Sequence, residues 1–185
     1  LSFFGGIGAA SRLGILVIGS SYLETLANVD TIAFDKTGTL TDGTMSVCEV
    51  KPFISLEEVN KHARILVSAA DDRNATSEAV YQYFGSEENP VYKQAIPFSS
   101  ASKCSGIIYN DDTKLLMGAP EYLLPENDER LSYVTERAKE GKRVIAMTLN
   151  GELAAFIVIE DHIRDTAADT LKFFRENGVT VKVIS

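Results

Sequence analysis

At 185 residues and 45% hydrophobic content, the chain holds enough apolar material for a substantial core and for one or two domains. Twenty-six acidic against eighteen basic residues leave a net charge of −8, which argues against nucleic acid as the main partner, because a binder of the phosphate backbone carries a basic face. The two cysteines, Cys48 and Cys104, match no metal-ligand spacing and suggest no disulfide scaffold, and no stretch reaches the roughly 18 apolar residues of a membrane span.

The first residues, Leu1 to Arg12, have no initiator methionine and no basic region ahead of their apolar residues, so they do not read as a signal peptide. They are expected to belong to a longer chain. Thr31 to Phe34 is β-branched and aromatic and predicts a short buried strand, running directly into Asp35. Val47 to Phe53 predicts an extended connector, with Pro52 against a central strand. Ser55-Leu56-Glu57-Glu58 has capping-box spacing and predicts a helix to about Ala70. Asn74 or Thr76 caps a second helix running to Phe84, and 85–90 is a polar loop.

Short extended segments follow at Tyr92 to Phe98, Cys104 to Tyr109 and Lys114 to Met117, with a turn signal at Asn110-Asp111-Asp112. Glu129 to Glu140 is helical and ends at Gly141, where a left-handed residue is wanted. Arg143 to Leu149 and Glu152 to Ile159 read as alternating strands joined by the hairpin signal Asn150-Gly151. A helix from Asp165 to Asn177, closed by Gly178, and a strand from Val179 to Ile184 complete the chain. The two ends read as pieces of a parallel α/β sheet and the middle as an antiparallel sheet with helices. One domain inserted into another is expected, with crossings near 46 and 157.

A carboxylate placed directly after an apolar strand sits at the C-terminal edge of the sheet, where open α/β sheets bind ligands. Aspartate is able to attack phosphorus and carry it as an aspartyl-phosphate. Gly38 allows a tight turn whose N–H groups face phosphate oxygens, Thr37 and Thr39 add short hydroxyl donors, and a hard cation such as Mg2+ is expected between carboxylate and phosphate. Two positions after Asp35 stands Thr37, where an aspartate would act as general acid and then base. Such a site transfers phosphate readily and hydrolyses it slowly until another element supplies the base.

The heptapeptide Asp-Lys-Thr-Gly-Thr-Leu-Thr at 35–41 resembles the phosphorylation motif of the P-type ATPases, the ion pumps of the haloacid dehalogenase superfamily. The resemblance spans nearly all of the chain. It implies an α/β fold in which an incomplete Rossmann-like phosphorylation domain, 27–46 with 157–185, is interrupted by an α+β nucleotide-binding domain, 47–156, after a stalk segment over 1–26. It implies that Asp35 is phosphorylated within Asp35-Lys36-Thr37, and that Asp35 and Thr37 are the protein ligands of Mg2+.

The middle of the chain resembles the family's ATP pocket in weaker motifs. In Pro97-Phe98-Ser99-Ser100-Ala101-Ser102-Lys103 the resemblance implies that Phe98 stacks on adenine and that Ser99 and Lys103 lie near the nucleotide. Met117-Gly118-Ala119-Pro120-Glu121 resembles Lys-Gly-Ala-Pro-Glu, with Met117 in place of the lysine and expected to pack on adenine, and with Gly118 allowing close backbone approach. Glu78 corresponds to the acidic residue at the adenine amino group, and Arg143 to the arginine that reaches the ATP phosphates. Asp161-His162-Ile163-Arg164 resembles Asp-Pro-Pro-Arg, which implies that Asp161 and Arg164 lie where the domains join, near the ribose. His62 and His162 have no metal-ligand partners at useful spacing and read as bystanders.

The implied activity is ATP-driven cation transport by a membrane-embedded, multi-pass protein with this segment on the cytoplasmic side. ATP and Mg2+ are the implied cofactors, and the transported cation is met through a membrane part that this chain lacks. The chain also lacks the family's later Gly-Asp and Gly-Asp-Gly motifs, so nucleotide binding without efficient self-phosphorylation is expected of it alone. The Pro-Phe-Ser-Ser-x-x-Lys form resembles bacterial calcium, magnesium or other cation pumps, and the Ser-Glu-His-Pro segment of heavy-metal pumps is missing. A second reading is a soluble phosphatase or phosphotransferase of the same superfamily with an inserted cap domain, against which Thr37 stands, and a third is a non-catalytic nucleotide-sensing module.

Overall fold

The structure is a computed structural model that describes residues 2–70 and 74–184. Leu1, the first residue of the expected stalk, and Ser185 lie outside the described residues. The chain forms two compact units, one of Leu1–Thr41 with Ile163–Ser185, the other of Asp42–His162.

The first unit holds helices α1 (Ser2–Arg12) and α2 (Ser20–Ala27), strand β1 (Thr31–Asp35) and a single wide turn over Lys36–Leu40. After the inserted unit the chain returns with α7 (Ala167–Glu176) and β8 (Thr180–Ile184). β1 and β8 pair in parallel, with Thr31 opposite Thr180 and Asp35 opposite Ile184. Phe34 packs on Phe174 of α7 at 5.7 Å between ring centroids. Gly178, at φ 75°, turns the chain out of α7, where a Cβ would be strained. The sequence predicts a buried β1. Instead Thr31, Ala33 and Asp35 are exposed and only Ile32 and Phe34 are half-buried. Its single sheet partner among the described residues is β8, so one flank lacks the second strand that full burial requires.

The second unit is a six-stranded sheet in the order β2 (Thr41–Pro52), β7 (Glu152–Ile163), β6 (Arg143–Leu149), β5 (Lys114–Gly118), β4 (Cys104–Ile108), β3 (Gln94–Ser99). The pairs from β7 to β3 are all antiparallel. The expected connector at 47–53 is thus the end of a long edge strand. Pro52 is its last residue, where the missing N–H costs no ladder bond. On one face pack α3 (Leu56–Ser68) and α4 (Ala75–Phe84), whose Val59, Ala63, Leu66, Val80 and Phe84 meet Leu115, Met147 and Ile157. A second cluster joins Leu124 and Tyr133, from α5 (Pro120–Leu123) and α6 (Leu131–Lys139) and their connection, to Val144, Ala146, Phe156 and Val158.

Successive strand residues point to opposite faces, so the two clusters divide β6 and β7 between them. The expected alternation of β6 and β7 is replaced by continuous burial from Val144 to Thr148 and from Leu153 to Ile159, because both faces of these central strands are covered. Local signals set the ends of the elements. Ser55 Oγ accepts the Glu58 N–H while the Glu58 carboxylate accepts the Ser55 N–H, a complete capping box. Asn74 caps α4 through the Ser77 N–H at 3.0 Å. Asn150 and Gly151 turn the β6–β7 hairpin with φ of 48° and 86°, the doubly positive signature of a type I′ turn.

Candidate functional site

In the first unit, β1 delivers Asp35 to its C-terminal end, where the backbone leaves the sheet. The Asp35 carboxylate is exposed and accepts the Thr37 N–H at 3.1 Å, which fixes its side chain over the turn. Thr37 at φ −78°, ψ 121° and Gly38 at φ 77°, ψ −13° are the central residues of a type II turn. A Cβ on Gly38 would meet nothing within 4 Å, so glycine is needed there for its dihedrals and not for space.

The turn is closed from several directions. The Gly38 N–H donates to Thr41 Oγ1 at 3.1 Å, and Thr41 is only 1% exposed, so that hydroxyl is held in place. The Thr41 N–H donates back to the Lys36 carbonyl. Arg164, from the far side of the inserted unit in sequence, donates Nε to the Thr39 carbonyl at 3.0 Å and Nη2 to the Gly38 carbonyl at 3.1 Å. Its backbone N–H also donates to the Leu40 carbonyl at 2.9 Å. Sequence reading missed Thr41 and this use of Arg164. The signal for Thr41 was its place as the last residue of the heptapeptide; Arg164 carried no signal that would link it to the turn.

Asp35 and the Thr37 carbonyl offer two hard oxygen donors on an exposed turn. That set fits Mg2+, which takes one or two protein oxygens and completes its shell with water and phosphate oxygens. Among the described residues no group of three or more His, Cys, Asp or Glu gathers to hold a metal by protein ligands alone.

In the second unit, strand pairing draws several of the sequence-predicted residues to one end of the sheet. Ser99 lies opposite Cys104, Cys104 opposite Gly118, and Gly118 opposite Ala146. Phe98 is therefore beside Ser99, and Lys103 beside Cys104, along one edge. Phe98 is 54% exposed, so much of its side chain is open to solvent. Lys103 adopts φ 50°, donates its N–H to the Ser99 carbonyl at 2.7 Å and accepts the Ala119 N–H at 3.0 Å. Gly118 allows a close approach, but the backbone that approaches is the protein's own at Lys103.

Arg143 opens β6 and donates Nη1 to Thr76 Oγ1 at 3.2 Å, tying the strand to the first turn of α4. Half-buried Glu78 follows in the same helix and accepts from Gln82 Nε2 at 2.6 Å. Met117 departs from expectation. It is 5% exposed and lies in the core with Leu115 and Met147, because strand alternation turns it to the helix-covered face; a thioether there has no open surface on which to pack a base. Asp161 is half-buried near the end of β7. His162 is exposed, and its Nδ1 lies 2.8 Å from Asp42 Oδ2. The Asp42 carboxyl is lowered to about 2, chiefly by hydrogen bonds from the Thr44 hydroxyl and N–H and then by His162. His62 is half-buried against the Tyr109 hydroxyl at 2.7 Å, and burial lowers its pKa.

Residues 29–185 match the model of the haloacid dehalogenase-like hydrolases. The calcium-transporting ATPase CtpE of Mycobacterium bovis is 32% identical, over 100% of this chain and 25% of that protein. A cadmium, zinc and cobalt-transporting ATPase of Bacillus subtilis is also 32% identical, over 97% of this chain and 24% of that protein. The chain therefore spans about a quarter of the length of the curated relatives it matches. The crystal structure of a zinc-transporting PIB-type ATPase in an E2.Pi state superposes with a TM-score of 0.72 at 25% identity, covering 98% of this chain and 30% of that one. The chain belongs to the haloacid dehalogenase-like hydrolase family, and its relatives within that family are P-type ATPases.

Proposed function

We propose that this chain is the ATP-binding and phosphorylated part of a cation-transporting pump, carried on the cytoplasmic side of a multi-pass membrane protein. Asp35 attacks the γ-phosphorus of ATP, a new bond forms between its carboxylate oxygen and phosphorus, and the bond to ADP breaks. The observation that carries this reading is the exposed Asp35 carboxylate at the end of β1, aimed by the Thr37 N–H across a glycine-dependent type II turn. Mg2+, held by Asp35 and the Thr37 carbonyl, would neutralise phosphate charge as it builds. Thr37 has no proton to exchange near neutral pH, so the aspartyl-phosphate persists until another part of the pump activates water.

ATP is held on the second unit. The exposed side chain of Phe98 stacks the adenine, and Ser99, Lys103 and Gly118 line the same sheet end. Arg143 supplies positive charge to the phosphates, Glu78 takes the adenine amino group, and Asp161 lies toward the ribose. Lys36, next to the nucleophile, belongs to the phosphorylation site. None of α1 to α7 is long and apolar enough to cross a membrane among the described residues. The cation is therefore handled elsewhere in the intact pump.

The test is an acid-stable label transferred from γ-labelled ATP to the full-length protein. Wild type should take up the label and Asp35→Asn should not; equal labelling of both rejects Asp35 as the nucleophile.

A further inference from the structure

Arg164 is exposed, yet it serves three consecutive backbone carbonyls, those of Gly38, Thr39 and Leu40. Its partners lie 125 and 126 residues away in sequence, so this is a tertiary contact and not a local turn bond. Nε and Nη2 occupy one edge of a rigid planar fork, and the two acceptors are successive carbonyls of the turn that follows Asp35. A lysine ammonium, a single point on a flexible stem, does not reproduce that paired geometry.

The peptide plane turns this clamp into a constraint on the reacting side. In a trans peptide the C=O and the following N–H point in opposite directions. Holding the Gly38 and Thr39 carbonyls on the guanidinium therefore directs the Thr39 and Leu40 N–H groups away from Arg164. Rotating those planes would bring the negative ends of the carbonyl dipoles toward an incoming anion.

We infer that Arg164 is a positioning residue for phosphoryl transfer: it holds the turn after Asp35 with its carbonyls turned away from the phosphate, and it acts through the turn and not on the nucleotide. The inference rests on the reading of Asp35 as the phosphorylated residue. A misplacement of about 1 Å in a reacting group costs on the order of 100-fold in rate, which sets the scale of the effect.

The experiment uses the full-length protein and follows the rate of aspartyl-phosphate formation over a range of ATP concentrations. Arg164→Lys and Arg164→Gly should slow labelling roughly 10- to 100-fold, with the half-saturating ATP concentration within about twofold of wild type. Added ethylguanidine should restore part of the rate to Arg164→Gly and none to Arg164→Lys, a response that a general loss of folding would not show. Labelling at the wild-type rate in Arg164→Lys overturns the inference. So does a rise in half-saturating ATP with an unchanged maximal rate, which would make Arg164 a nucleotide contact. Failure of the wild type to label at all rejects the Asp35 reading instead. Should Arg164→Gly not fold, Arg164→Lys alone decides between these outcomes.

Discussion

Gly118 and Lys103 meet backbone to backbone: a Cβ built on Gly118 would lie 2.4 Å from the Lys103 carbonyl oxygen and 2.5 Å from Cys104 Cβ. Lys103 itself sits at φ 50°, locked by its bonds to Ser99 and Ala119. The obstacle is main chain and cannot swing aside. Gly118→Ala should destabilise the second unit by about 1–3 kcal/mol, the usual range for forced overpacking. Urea unfolding of the two proteins checks this; equal midpoints would mean that β4 and β5 separate without cost.

Phe98 offers the opposite behaviour. At 54% exposed it contributes little to the core, so Phe98→Ala should change stability by no more than about 0.5 kcal/mol. If the ring stacks adenine, losing it removes about 1–3 kcal/mol of binding, the range for a base on an aromatic face. Calorimetric titration with ATP, with and without Mg2+, reads the effect. Wild-type affinity on the order of 1 mM is expected, about −4 kcal/mol. A folded Phe98→Ala variant with unchanged affinity removes Phe98 from the pocket.

Met117 separates stability from binding in the other direction. Its side chain is 5% exposed among Leu115 and Met147. Met117→Ala should cost about 2–5 kcal/mol through lost burial and the cavity left behind. At ATP concentrations where the variant remains folded, its affinity should match wild type. A large loss of affinity with little loss of stability would return Met117 to the nucleotide.

The Asp42 carboxylate, held chiefly by the Thr44 hydroxyl and N–H and then by His162, makes a pH prediction. Folding lowers the Asp42 carboxyl from 3.8 to about 2, so the folded state favours its ionised form. The stabilisation is therefore complete above about 3.8 and is lost as pH falls through the window from 3.8 to about 2. Thermal unfolding of wild type and Asp42→Asn should differ at neutral pH and converge at the acid end of that window. Because the carboxylate is exposed and its hydrogen bonds compete with water, the difference should be small. A gap that persists at pH 2 would assign the effect of Asp42→Asn to something other than charge.

The punctuation of this fold was legible in the chain because its causes act within a few residues. Ser55 finds Glu58 three positions on, and Asn74 finds Ser77. Asn150-Gly151 and Gly178 take left-handed dihedrals that few other residues tolerate. The Asp35 turn belongs to the same class: Thr37 and Gly38 set its shape, and the carboxylate that gives it chemistry is two residues away. Covering of both sheet faces was harder to read, since apolar runs in β6 and β7 do not say how many layers will cover them.

Contacts between distant segments had no such signature. Arg164 reaches the Asp35 turn across 125 residues, and His162 reaches Asp42 across 120. Neither partner changes the local pattern around the other. Met117 shows the same limit within one motif: its neighbours in sequence resemble a nucleotide pocket, while the pairing of β5 with β4 and β6 and the helices α3 and α4 above it assign its side chain to the core. Local backbone preference, acting over three or four residues, chose the turns, the caps and the place of the nucleophile. Packing of segments remote in the chain chose which side chains hold that nucleophile's turn in shape and which are left exposed to meet a ligand.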